Sequence, residues 1–316
     1  MAPANERLAV LAIGGNSLIR DKQHQRVSDQ FEVTRETCHH IQQLVERGWN
    51  VVVTHGNGPQ VGFILRRSEL SLHELHPVPL DSIVADTQGS IGYMIQQSLA
   101  NEFSRTGVDR QAVTVVTQVL VDKNDPAFST PSKPVGSFMD EATARTHADK
   151  EGWEVREDAG RGWRRVVASP LPREIIEADA IKRLVDAGCV AVAVGGGGIP
   201  VIRDGETLQG VPAVIDKDFA SALLARQLGA GLFVISTAVD AVCIDYGKPA
   251  ECKLERLTVA EARRHLEAGQ FPAGSMGPKI QAVCEYIEGG GGRAVITSPE
   301  HLAEAVAGTK GTQIVP

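Results

Sequence analysis

Short apolar runs alternate along this chain with longer stretches in which apolar and polar residues are mixed. Leu8 to Ile13, Val51 to Thr54, Ala112 to Val119, Val190 to Val194, Leu232 to Ser236 and Arg293 to Thr297 are runs of this kind. Valine and isoleucine favour a pleated backbone. A run that is apolar at every position, not every second one, suits a strand covered on both faces, as in a parallel sheet. The stretches between them predict helices. Asp29 with Glu32 three residues on resembles a capping box, and Gly48 stops the helix that follows. Further helices are predicted over residues 81–101 and 173–187, from Asp216-Lys217-Asp218 to about residue 228, from Thr258, and from Lys279 through Ile287. Ser298-Pro-Glu300 starts another, and residues 312–315 read as a last edge strand. Strands alternating with helices imply an α/β fold: a mainly parallel central sheet with helices on both faces.

The alternation breaks between residues 122 and 170. This segment is rich in proline, glycine and charge, as in Asn124-Asp-Pro126 and Pro131-Ser-Lys-Pro134. It is too long for a simple connection, so it reads as an inserted subdomain or lid within a single domain spanning residues 1–316.

Composition narrows the class. With 42% hydrophobic and 22% charged residues the chain reads as an ordinary globular protein, and its net charge of −7 argues against a general nucleic-acid binder. The five cysteines are odd in number and lack metal-ligand spacing, which favours a reduced, cytoplasmic setting over a disulfide framework. Leu8 to Ile13 is too short for a signal core, and no apolar stretch is long enough to cross a membrane.

The candidate chemistry sits where strands end in glycine. Val190 to Val194 runs into Gly195-Gly-Gly-Gly198, Leu8 to Ile13 into Gly14-Gly15-Asn16, and Val51 to Thr54 into His55-Gly56-Asn57-Gly58. Glycine removes Cβ, so backbone N–H groups can approach an anion closely. Ligands of open α/β sheets bind beyond the carboxyl ends of the strands. The P-loop, protein-kinase and nucleophile-elbow signatures are absent, and the glycine quartet does not fit the spaced dinucleotide fingerprint. Lysines stand in unusual contexts instead. Lys217 lies between Asp216 and Asp218, which reads either as a surface charge cluster or as a positioned cation. Lys133 lies between two prolines in the inserted segment. Lys279 follows Gly277-Pro278 at a helix start, where a cation opposes the helix dipole unless an anion joins it. Phosphoryl transfer asks a protein mainly for positioning and for positive charge on the transferring oxygens.

Taken in order, these motifs resemble the carbamate kinases of the amino-acid-kinase superfamily. The likeness runs from Ala12-Ile-Gly-Gly-Asn-Ser-Leu18 to Thr312. It includes Thr54-His-Gly-Asn-Gly-Pro-Gln-Val-Gly62, Gln88-Gly-Ser-Ile-Gly-Tyr93, Asn124-Asp-Pro-Ala-Phe128, the stretch from Glu157 to Val167, Ile215-Asp-Lys-Asp218 and Gly274-Ser-Met-Gly-Pro-Lys279. The resemblance implies a three-layer α/β/α sandwich, usually a homodimer, and reversible transfer between ATP and carbamate with Mg²⁺ carried by the nucleotide. It implies a small-molecule acceptor on the N-terminal half and the nucleotide on residues 211–316. Gly14, Gly15, Asn16, Gly56, Asn57 and Gly58 would line the acceptor site. Lys133 would reach in from the lid, Lys217 and Lys279 would bracket the phosphates, and Asp218 would orient them. Gly196, Gly197, Thr237, Tyr246 and Met276 would lie on the nucleotide side. Ile13, Ser17, Ser90, Ser132 and Ala238 depart from the family's usual residues, Ala238 standing where many members carry aspartate. The competing readings are a related kinase acting on another carboxylate or on UMP, and a non-catalytic sensor of nucleotide or carbamoyl phosphate.

Overall fold

The computed structural model describes residues 5–21, 23–157, 162–272 and 274–316; of Asn16 and Ser137 it describes the backbone alone. Its main sheet has eight strands among the described residues. Their spatial order is Arg256–Thr258, Thr312–Val315, Arg293–Thr297, Ala230–Ser236, Asn5–Ile13, Asn50–His55, Val190–Val192 and Ala112–Thr114. All neighbours are parallel except Arg293–Thr297 with Thr312–Val315.

The first strand shows why the sheet is central. Leu8, Val10 and Ala12 join one core cluster, while Ala9, Leu11 and Ile13 join another. Successive side chains of a strand point to opposite faces, so a run apolar at every position needs cover on both. On one face the cover comes from Lys217–Gln227 and Met276–Glu288, through Ala220, Leu224, Ile280 and Val283. On the other it comes from Val27–Glu46 and Leu80–Thr106, through Cys38, Ile41, Ile91 and Ile95. The result is the three-layer α/β/α sandwich with a mainly parallel sheet.

Residues 112–119 are not one strand. Ala112–Thr114 ends the main sheet, and Gln118–Val121 belongs to a second sheet with Ile199–Asp204, Thr207–Gly210 and Pro172–Ile175. The chain turns between them, held by the Thr117 N–H donating to Gln88 Oε1 at 2.7 Å. A transfer from one sheet to another leaves the apolar pattern unbroken, so periodicity alone does not reveal it. The helix predicted over 173–187 is likewise shorter. Residues 172–175 pair antiparallel with Gln118–Val121, and the helix runs Ala178–Asp186. Asp29 occupies the third helical position, not the cap. Its carboxylate accepts from the Arg26 N–H at 2.9 Å.

Within residues 122–170, Lys133–Met139, Trp163–Val167 and Val155–Glu157 form a separate antiparallel sheet, packed by the helix Glu141–Glu151. Asp158 to Arg161, the middle of the basic Glu157 to Val167 motif, lie outside the described residues. The sheet leans on the helix Gly58–Leu70, where the Gly136 Cα lies 3.6 Å from the place a Gly62 Cβ would take.

Candidate active site

Sheet order brings the three glycine-rich strand ends together. Asn5–Ile13, Asn50–His55 and Val190–Val192 are consecutive parallel neighbours, so Gly14-Gly15, Gly56-Asn57-Gly58 and Gly195 to Gly198 emerge side by side. Gly196 has φ +67°, and a Cβ there would fall 2.0 Å from Asn57 Nδ2. Only glycine fits both the backbone and the approach. Val194 just before it is also left-handed, at φ 53°, a conformation costly for a β-branched residue. It is fully buried, and its N–H donates to Thr117 Oγ1 at 3.0 Å. The bend after this strand is therefore held by its surroundings against local preference.

Beside these ends stands a cluster of lysines and aspartates. Asp216 caps the helix Lys217–Gln227 by accepting from the Asp218 N–H at 2.9 Å, which fixes the next two side chains. The other Asp216 oxygen accepts from Lys133 Nζ at 2.8 Å, joining the small sheet to the main body. Asp218 is 3% exposed. Its two oxygens accept from Lys217 Nζ at 2.5 Å and from Lys279 Nζ at 2.8 Å. Burial pushes the Asp218 carboxyl up, but the two ammonium groups outweigh it and hold the group below the ordinary range. Burial pulls the Lys217 pKa down; Asp218 opposes the shift and Lys279 adds to it. Three ammonium groups thus share two carboxylates. Each ammonium has three N–H donors and gives one to a carboxylate among the described residues. That leaves donors and positive charge directed at a cavity of about 250 Å³, lined also by Gly56, Asn57, Gly58 and Gly196. A surplus of ammonium lining a cavity favours an anionic occupant.

A second cavity, of about 470 Å³, lies on the C-terminal half and is lined by Thr237, Ala238, Tyr246 and Met276 among others. Lys279 lines both cavities. The structure therefore brings Lys133, Lys217, Asp218 and Lys279 together with Gly56 to Gly58, and groups Thr237, Tyr246 and Met276 separately. Gly196 faces the smaller cavity, and Gly197 packs against Ile215, where a Cβ would come 2.5 Å from its carbonyl oxygen. Neither lines the larger one. Gly14 and Gly15 sit at the next strand end, outside the lining of both, and the Asn16 side chain lies outside the described residues. Among the described residues no group of three or more metal-ligating side chains occurs. Both Asp218 oxygens are taken by ammonium groups.

His55 lines neither cavity but lies buried beneath the glycine ends, and a histidine closing an apolar strand before Gly-Asn-Gly was a visible signal in the sequence. It is 1% exposed, with Nδ1 3.0 Å from the Gly56 carbonyl oxygen. A Cβ on Gly195 would come 2.4 Å from Nε2. Burial, with Lys217 nearby, lowers its pKa from 6.5 to about 4, so it is neutral under the glycine bend. The unfolded chain takes up this proton near pH 6.5 and the folded one only near 4. Stability therefore falls as pH drops through that window, by about 3 kcal/mol for this group at about 1.4 kcal/mol per unit. Denaturant melts between pH 7 and 4 should show this loss, and His55→Gln should flatten it. An equal slope in the variant would remove His55 as the cause.

A model of the amino acid kinase family matches residues 7–298. The carbamate kinase of Pyrococcus horikoshii is 47% identical over 97% of this chain and 98% of that protein. The carbamate kinase-like protein YahI of Escherichia coli is 48% identical over 98% of this chain and 99% of that one. Among solved structures, a carbamate kinase from Giardia lamblia bound to AMP-PNP superposes with a TM-score of 0.92 at 40% identity, covering 98% of this chain and 99% of that one. An N-acetylglutamate synthase from Neisseria gonorrhoeae, at 15% identity and a TM-score of 0.60, shares the fold.

Proposed function

The chain belongs to the amino acid kinase family, and from that premise we propose that it transfers a phosphoryl group reversibly between ATP and carbamate, giving ADP and carbamoyl phosphate. The observation that carries this reading is Lys279. It lines both cavities and shares Asp218 with Lys217, at the junction a transferring phosphoryl group would cross. Similarity to carbamate kinases over nearly the whole chain supplies the acceptor.

The chemistry needs little covalent help. In the ATP-forming direction a terminal oxygen of ADP attacks the phosphorus of carbamoyl phosphate, and the bond to the carbamate oxygen breaks. Carbamate leaves as an anion, so no proton has to move in the step. What the protein supplies is alignment and charge on the three equatorial oxygens. Lys217 and Lys279 would bear on those oxygens, Asp218 would hold the two ammonium groups in place, and Lys133 would add charge from the small sheet. Backbone N–H groups of residues 56–58 would receive the acceptor, and Thr237, Tyr246 and Met276 the nucleotide. Mg²⁺, carried on the nucleotide phosphates, would neutralise part of their charge. The same reading expects a cytoplasmic homodimer acting in arginine metabolism, and light scattering in solution checks the dimer.

Incubation with ADP, carbamoyl phosphate and Mg²⁺ should yield ATP in a coupled assay, and neither N-acetylglutamate nor UMP should accept phosphate from ATP. Robust turnover of either, with none of carbamoyl phosphate, would sink the assignment.

A further inference from the structure

A chain of two buried hydroxyls runs from the acceptor-side strand to the lysine helix. Thr54, one residue before His55, and Ser221, in the helix Lys217–Gln227, are both fully buried. Their Oγ atoms lie 2.6 Å apart. Ser221 Oγ also donates to the Lys217 carbonyl at 2.5 Å. A hydroxyl has one proton, so Ser221 has none left for its neighbour. Thr54 must be the donor in their shared bond. The direction of the chain is therefore fixed: Thr54 to Ser221 to the backbone of Lys217.

The elements at the two ends of this chain both border the smaller cavity. Two residues beyond Thr54 the strand becomes Gly56-Asn57-Gly58, and the Lys217 methylene stem passes 3.6 Å from where a Gly56 Cβ would be. The bonds thus tie the first turn of the lysine helix to the strand that carries the glycine loop. The helix also packs on the sheet through Ala220, Leu224 and Ala225, apolar contacts that resist separation but carry no directional preference. We propose that Thr54 and Ser221 are positioning residues that set the height of Lys217 against the glycine loop. This rests on the phosphoryl-transfer reading. A shift near 1 Å at a reacting centre can cost about 10²-fold in rate, so a lost directional bond at this distance is felt in turnover.

Thr54→Val keeps the shape and removes the donor; Thr54→Ser restores the donor without the methyl. In folded Thr54→Val, kcat should fall by roughly 10- to 100-fold with the KM for ADP within about twofold of wild type. Thr54→Ser should recover most of the loss. Ser221→Ala is read the same way and stands in if Thr54→Val does not fold. Labelling separates this proposal from the choice of acceptor, since the rate at which acetic anhydride modifies Lys217 can be followed by peptide mass with no substrate present. It should rise several-fold in Thr54→Val and return in Thr54→Ser. Failure of the wild-type protein to use carbamoyl phosphate, with labelling behaving as stated, overturns the acceptor and leaves the positioning role standing. Unchanged kcat and unchanged labelling in a folded Thr54→Val, or a loss that Thr54→Ser does not recover, overturns the positioning role.

Discussion

Lys217→Ala should lower kcat by ~10²–10³, the scale of a lost donor to charge that develops in the transition state. The substitution removes an ammonium group and also uncovers one oxygen of Asp218, a carboxylate 3% exposed, next to the anions being transferred. A buried carboxylate left with one partner in place of two repels those anions, so the loss exceeds that of a surface ion pair. Asp218→Asn tests the other side. It keeps both lysines but takes away the charge that aims them, and kcat should fall by about 10- to 100-fold from misplacement. The comparison that decides is kcat against ADP affinity. Both variants should keep ADP affinity closer to wild type than kcat, because Thr237, Tyr246 and Met276 line a cavity that Lys217 and Asp218 do not. Near-normal kcat in both would return the cluster to the role of a structural ion-pair group.

Lys217 and Asp218 also illustrate how far the sequence was legible. An aspartate before a lysine at a helix start already suggests a cap and a placed cation, and the cap is there in Asp216, although Val211 to Ile215 before it form no strand beyond a single bridge at Ala213. That Lys279, sixty-one residues on, shares the same carboxylate is not local information. It follows from two helices lying side by side on one face of the sheet. The centre of the main sheet was legible because strands such as Leu8 to Ile13 and Leu232 to Ile235 are apolar at every position, whereas its edge strand Arg256–Thr258 carries no such run. The small sheet of residues 133–167 was not, because Lys133, Arg164 and Arg165 interrupt any periodicity. Thr54 and Ser221 were hidden for a different reason. A buried hydroxyl is defined by its partner, and each partner is set by packing between elements that the sequence does not place relative to each other.

Excision of residues 122–170, with the ends joined by a short Gly/Ser linker, should abolish turnover while leaving the sandwich folded. The flanking strands already pair antiparallel, with Val121 opposite Pro172, so the linker has only a hairpin to close. The removed part has its own sheet and helix; Lys133 bonds to Asp216, and Arg164 of the same small sheet lines the cavity beside the charge cluster. We read it as a lid over the acceptor side. Carbamate is too small for many side chains to touch at once, and carbamoyl phosphate decomposes in water, so a cover that excludes solvent serves both needs. Among the described residues the larger cavity is lined only from residues 237–279, so ADP binding measured by calorimetry should change little. Lys133→Ala should reproduce much of the loss, by ~10² or more, since it removes a lid cation that reaches Asp216. Its side chain is about one-third exposed, so the ion pair itself adds little to stability, and melting should be nearly unchanged. Loss of both ADP binding and turnover in a folded excision variant would move the segment to the nucleotide side. Surviving turnover would mean that the site is complete without it, with Lys217, Lys279 and the glycine ends sufficient for transfer.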